Sequence, residues 1–189
     1  MCFDILKLLF YYMIYLYAKF FKYRQVCFRG FTVILAYRNC HVSIGKGSMI
    51  NSSWYTNLVG MQQRTTIIAW QSGRITIGEN CGISGTTLFS IEEITIGDRV
   101  LIGANCKIID HDFHPIKLKS RIENKIEDVQ RRSIIIGHDC FIGMNSILLK
   151  GTVLGNNCIV GAGSVVSGNF PDNCIIAGNP AKIIRKITD

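Results

Sequence analysis

The hydrophobic positions of this chain repeat with a period of six. From Ile136 a large aliphatic residue recurs at Ile142, Leu148, Leu154, Val160 and Val166, and glycine follows at Gly137, Gly143, Gly155 and Gly161. Two positions before each aliphatic stand Ile134 and then the small residues Cys140, Ser146, Thr152, Cys158 and Ser164. The same register runs through Ile77 and Ile83, with Cys81 before the second, and through Ile96, Ile102 and Ile108, with Val100 and Cys106 before the last two. A period of six is neither the 3.6 of an amphipathic helix nor the signature of a simple hairpin ladder. It predicts an all-β solenoid in which each hexapeptide is one short strand, about eighteen residues close a triangular coil, and each strand pairs with the strand one coil above. The aliphatic residue then points into the prism and the small one fills the corner. Glycine suits the turn because it tolerates positive φ and lets backbones approach closely.

The register stops after Ile108 and resumes at Ile134. Residues 111–133 between them begin His111-Asp112-Phe113-His114-Pro115 and continue as a polar, basic stretch. A loop this long in a compact repeat protein is more often functional than incidental. The chain divides into an aromatic-rich helical segment, residues 1–26, and the solenoid, residues 27–189. Within the former, the charge-free run from Leu8 to Ala18 is eleven residues, short of the roughly 18 to 20 that span a bilayer as a helix. Two readings stay open for Phe3 to Phe21: an interfacial helix with snorkelling lysines, and a cap packed on the solenoid or on a neighbouring subunit. At the other end, Ile183 to Thr188 offers only a short tail as a cap.

Composition sharpens this picture in two ways. The net charge is +8, with basic residues gathered near the start, from Lys117 to Arg132, and at Lys182, Arg185 and Lys186. These clusters suit phosphates, an anionic membrane face or an acidic glycan; no nucleic-acid recognition motif accompanies them. The eight cysteines contain no Cys-x-x-Cys pair, and no cleavable signal peptide is evident. They read as reduced thiols of a cytoplasmic protein, with Cys81, Cys106, Cys140, Cys158 and Cys174 as small hydrophobes at the inward corner position.

From about Val42 to Ile187 the sequence resembles the hexapeptide-repeat acyltransferases. The likeness is greatest to the maltose, galactoside and nodulation-type sugar O-acetyltransferases and to the capsule or O-antigen acetyltransferases. It rests on the Ile-Gly repeats, the His loop after Ile108, and Val160-Gly161-Ala162-Gly163-Ser164 followed by Gly178-Asn179-Pro180-Ala181-Lys182. The resemblance implies a left-handed parallel β-helix, a homotrimer, and acetyl transfer from acetyl-CoA to a sugar or polysaccharide hydroxyl in surface-glycan biosynthesis, at the inner membrane face if the N-terminal segment binds there. It implies His111 as general base, with His114 of the His-Pro pair as the alternative. An imidazole can take the proton of a hydroxyl as its oxygen attacks the thioester, so no cysteine nucleophile is needed. Asp110 or Asp112 orients the ring or only turns the loop; the turn is the reading adopted.

Carried over residue by residue, the cofactor positions are Met144, Ala162 and Ser167, with Lys182 and Arg185 near the phosphates, and an oxyanion donor lies near Gly143 and Met144. Gly168 stands where some relatives carry lysine. Ser84, Thr86 and Thr87 are the acceptor candidates, while His41 and His138 read as structural. Two rival functions stay open. One is N-acetylation of a nucleotide-linked amino sugar. The other is a metal hydratase of the γ-carbonic anhydrase kind drawing on His111, His114 and His138, although their spacing does not fit and no metal is expected.

Overall fold

The computed structural model describes residues 12–13 and 22–188. Three parallel sheets wrap one core, and the chain visits them in strict rotation. The first coil is Cys27–Arg29, Val33–Ala36 and His41–Ile44. The second is Met49–Asn51, Thr66–Ala69 and Arg74–Ile77, and the third is Gly82–Ser84, Thr87–Ser90 and Glu93–Ile96. The fourth is Leu101–Ile102, Lys107–Ile109 and Ile134–Ile136. Two coils of minimal strands follow, Phe141–Ile142, Ile147–Leu148 and Val153–Leu154, then Ile159–Val160, Val165–Val166 and Asn169–Phe170. Every coil-to-coil pairing is parallel and in register, as in Ile83, Ile102, Ile142 and Val160. This is the solenoid that the six-residue period predicts, and the left-handed parallel β-helix that the resemblance implies. The periodic aliphatics form its interior: Ile83, Ile108, Ile142, Leu148, Val160 and Val166 are fully buried, and so on the third face are Ile75, Ile94 and Ile134, two positions before Ile77, Ile96 and Ile136.

The corners work differently from the sequence expectation. The glycine after each aliphatic is not the residue with positive φ. That conformation belongs to a residue two positions later, at Asn80, Asn105, Asn145 and Asn157, with φ of 57°, 65°, 59° and 53°, and asparagine is the non-glycine residue that best tolerates it. The glycine is required by close approach instead. A Cβ at Gly143 would lie 2.5 Å from Ala162 N, and one at Gly137 2.6 Å from Gly155 C.

The small corner residue also does more than fill space. At the third corner Ser48 Oγ donates to Gly78 O at 3.0 Å, Cys81 Sγ to Gly97 O at 3.2 Å, Cys140 Sγ to Gly155 O at 3.1 Å and Cys158 Sγ to Pro171 O at 3.2 Å. At the first corner Thr86, Cys106 and Ser146 do the same to Gly103, Gly143 and Gly161. Ser, Thr and Cys interchange because each is small and carries one donor for a carbonyl of the next coil. Burial pushes the Cys140 thiol up to about 12 and that of Cys106 to about 11. Cys140→Ser should therefore melt near wild type, and Cys140→Val should lose about 1 kcal/mol through the unmet Gly155 carbonyl. Native-state thiol labelling should reach the exposed Cys27 well before the five buried cysteines.

Each end of the described solenoid is partly covered. At the start Tyr23 and Val26 are buried, and the Tyr23 hydroxyl donates to Val42 O at 2.8 Å. The reading of Phe3 to Phe21 as an interfacial helix or a cap lies outside the described residues, apart from Tyr12 and Met13. Among the described residues no helix is long and apolar enough to cross a membrane. At the end, the short tail is replaced by a real edge strand: Ala181–Lys186 folds back antiparallel onto Cys174–Gly178 and covers the last strand of the first sheet.

Two excursions leave the coils. The one expected at residues 111–133 departs from the second corner of the fourth coil and carries a short helix, Leu118–Ile122, and a 3-10 turn, Ile126–Asp128. The other, residues 52–65 at the first corner of the second coil, was not expected. It includes the 3-10 turn Trp54–Thr56.

Candidate active site

The larger excursion is closed at its base. Arg132 N donates to Asp110 O at 2.9 Å, Asp112 N to Gln130 O at 2.9 Å, and His111 pairs with Arg131 in an antiparallel bridge. The first residue beyond the strand is thus held by one two positions before the register resumes. Here Asp110 is fully buried and accepts four hydrogen bonds. Ser90 Oγ donates at 2.6 Å, Ile91 N and Glu92 N at 3.0 Å each, and the His111 Nδ1 contact is 3.0 Å. Burial alone would raise the Asp110 carboxyl. The hydrogen bonds from His111, Ser90, Ile91 and Glu92 outweigh it and hold the group below its ordinary value.

An ionised Asp110 fixes the tautomer of His111, because a carboxylate accepts only and Nδ1 must carry the proton. Nε2 then keeps its lone pair. The ring is buried between two aromatic rings, with centroids 4.9 Å from Phe89 and 4.7 Å from Phe113, both edge-on. Asp110 orients the ring, which corrects the reading of this residue as a turn former. Asp112 forms an ion pair with Lys150 at 2.6 Å. His114 is exposed and makes no hydrogen bond among the described residues. Of the two histidines, only His111 is held in one orientation, as a base must be.

Because the folded-state carboxyl of Asp110 is held down, its stabilisation is complete above the unfolded value of about 4. It is lost as pH falls through the lower folded value. Asp110→Ala would leave four donors without their acceptor, at a cost on the order of 3 kcal/mol or more. Melting curves from about pH 6 to about pH 2 should show the variant destabilised at the upper end and converging on wild type at the lower.

The candidate cofactor residues fall in three places. Met144 and Ala162 stack on the first corner, in the fifth and sixth coils. Their amides make no backbone hydrogen bond with described residues, whereas Gly143 N is committed to Val160 O at 2.8 Å, so Met144 is the free donor of that pair. Ser167 lies on the second corner, above His111, in a groove of about 640 Å³ shared with Gln130, Arg131, Arg132, Leu149 and Lys150. Arg131 is paired with Glu92 at 3.1 Å, Lys150 with Asp112, and Arg132 forms no ion pair among the described residues. Arg131 and Arg132 were visible in sequence only as part of the basic run from Lys117 to Arg132, and Lys150 lies outside it. Lys182 and Arg185 are exposed on the final edge strand.

The acceptor candidates divide as well. Thr86 is fully buried, and its hydroxyl serves Ser84 O and Gly103 O within the corner. Ser84 is nearly buried beneath Asn51 Nδ2. Thr87 faces outward, within reach of Gln63 and Lys107. The three histidines offered for a metal are not brought together: His138 sits at the third corner against Asp98. Among the described residues no three His, Cys, Asp or Glu side chains form a group that could hold a metal ion.

The family model described as the hexapeptide repeat of succinyl-transferase matches residues 93–118 and 133–167, breaking at the His111 excursion. WbbJ of Escherichia coli K12, named for O-acetyl transfer in lipopolysaccharide biosynthesis, is 33% identical over 162 residues, 79% of this chain and 81% of that one. Among solved structures, a galactoside acetyltransferase in complex with coenzyme A superposes with a TM-score of 0.55 at 31% identity. The match covers 62% of this chain and 56% of that one. The polySia-specific acetyltransferase NeuO gives 0.65 at 25% identity, over 85% of this chain and 66% of that one. The hexapeptide repeat is matched, and a third of the residues agree with WbbJ over about four fifths of both chains; the protein belongs to the hexapeptide-repeat acyltransferases.

Proposed function

We infer that this enzyme transfers an acetyl group from acetyl-CoA to a hydroxyl of a sugar in a surface glycan of the lipopolysaccharide or capsule kind, with His111 as the general base. The observation that carries the reading is the buried Asp110–His111 pair at the base of the excursion. Acetyl-CoA supplies an activated thioester. His111 Nε2 takes the proton of the acceptor hydroxyl as its oxygen attacks the thioester carbonyl, and Asp110 stabilises the imidazolium that forms. The proton then leaves with the departing thiolate. The Met144 amide is the proposed donor to the developing oxyanion. Ala162 and Ser167 line the pantetheine path, and Lys182 and Arg185 neutralise the phosphates, joined by Arg132 where Gly168 leaves a lysine missing.

His111 and Met144 stand at opposite edges of the second face. A donor touching both corners is best served by two copies, the second corner of one facing the first corner of the next, as in a closed trimer. The exposed Leu101, Phe141 and Ile147 that flank the first corner supply apolar surface for such contact. Peripheral contact of residues 3–24 with an anionic membrane face is proposed from their aromatic and basic composition.

Purified protein, incubated with labelled acetyl-CoA and either hydroxyl-only glycans or nucleotide-linked amino sugars, tests the reaction. Label on the amino sugars alone would move the assignment to N-acetylation. Light scattering reads the trimer, and co-sedimentation with anionic vesicles reads the membrane contact.

A further inference from the structure

The excursion at residues 52–65 has no role in the chemistry above, yet it is firmly built. Thr65 Oγ1 donates to Asn51 O at 2.6 Å, Thr65 N to Ser52 Oγ at 3.2 Å, and the Ser52 and Thr32 hydroxyls meet at 2.7 Å, all at its base. From there it lies along the first corner toward the catalytic coil. Gln62 N donates to Asn105 Oδ1 at 2.8 Å, and Gln63 Nε2 donates to Gly85 O at 2.8 Å and to Thr87 Oγ1 at 3.1 Å. Asn105 belongs to the same coil as His111. Of the next corner residues above, Ala162 is exposed and Met144 half-buried, whereas Ala104 is buried. The excursion therefore ends where the proposed donor path begins.

Its outer part presents Trp54 and Tyr55, 72% and 67% exposed, as an edge-on pair 5.0 Å apart. They border a groove of about 440 Å³ whose other wall carries Gln62, Gln63 and Arg64, a size within the range of small-molecule sites. Flat aromatic faces beside amide and guanidinium groups match a pyranose ring, which offers an apolar face of C–H groups and a rim of hydroxyls. Polar contacts also run from the groove onto the second face, at whose far edge His111 stands. Lys107 Nζ donates to Gln63 Oε1 and to Thr87 Oγ1, laying polar groups across the second face. Phe89, which packs on His111, follows Thr87 by two residues on the same strand.

We propose that residues 52–65 form an acceptor subsite that binds a pyranose ring of the glycan chain against Trp54 and Tyr55, adjacent to the unit acetylated at His111. The inference rests on the glycan O-acetyltransferase reading and narrows it: the acceptor is an oligosaccharide or polymer rather than a free monosaccharide.

The chain has two tryptophans, so Trp70→Phe leaves Trp54 as the sole indole reporter. The probes are ladders of one to four units of glucose, galactose and rhamnose. Trp54 emission should shift saturably with at least one ladder, affinity should rise about tenfold or more from one unit to two, and Tyr55→Ala should erase that gain. With the same acceptors, Trp54→Ala with Tyr55→Ala should raise KM for the longer sugar about tenfold while KM for acetyl-CoA stays constant. Flat emission with every ladder, affinity independent of length, or an equal change in KM for acetyl-CoA would overturn the subsite. If His111→Asn abolishes transfer and the aromatic variants do nothing, the reaction stands without the subsite. If His111→Asn transfers normally while Trp54 still reports binding, the subsite stands and the reaction assigned to His111 falls.

Discussion

His111→Asn should lower kcat by about 10²- to 10⁴-fold, the usual contribution of a positioned general base, with a fold close to wild type. Asparagine is the informative substitution because its Nδ2–H can still donate to Asp110, where the ring now offers Nδ1 at 3.0 Å. It has no lone pair at the Nε2 position. Alanine would be less clean. The ring is buried between Phe89 and Phe113, so truncation opens a cavity and strips Asp110 of one of its four donors. Alanine at this buried position should therefore lower the melting temperature as well as turnover. Stopped-flow turnover and calorimetry on the same preparations separate the effects. His114→Ala is the control: normal turnover there, with loss in His111→Asn, assigns the base, and the reverse pattern reassigns it.

Ile142→Asp should give the largest loss of stability. Ile142 is fully buried in the fifth coil, between Ile102 and Val160 on the same sheet. Among the described residues no lysine or arginine is buried, so the carboxylate must either enter as an unpaired charge or be protonated at a cost. A loss of more than about 4 kcal/mol is the scale for that mechanism, against a whole-domain stability of roughly 5 to 15 kcal/mol. The expected result is insoluble protein or no cooperative melt. Val160→Asp should behave alike. By contrast, Ile147→Asp, one strand away on the exposed side, should fold. A soluble Ile142→Asp with a normal melt would mean the inward register had been misassigned.

The inward register was legible because it is periodic and local. Whichever way three hexapeptides close a coil, the residue recurring every sixth position meets its own kind above and below, so Ile83, Ile102, Ile142 and Val160 had only one place to go. His111 was visible as the start of a break in that period, because the aliphatic register stops after Ile108 and resumes at Ile134. The excursion at residues 52–65 escaped notice because Leu58, Val59 and Met61 keep the stretch from reading as a polar break, although Leu58 is 96% exposed.

What the sequence could not decide was everything that depends on neighbours one coil away. Asp110 is adjacent to His111 in the chain, but it is fixed as an orienting carboxylate by Ser90, Ile91 and Glu92, eighteen to twenty residues earlier. No local pattern distinguishes such an aspartate from a turn former. The corner residues tell the same story: Cys140 reads as small and apolar, and only stacking shows that its thiol answers the carbonyl of Gly155. The sequence alone determined the coil, because period and burial are properties of the chain taken six residues at a time. The tertiary structure decided the site, because its hydrogen bonds join residues that the coil brings together about eighteen positions apart.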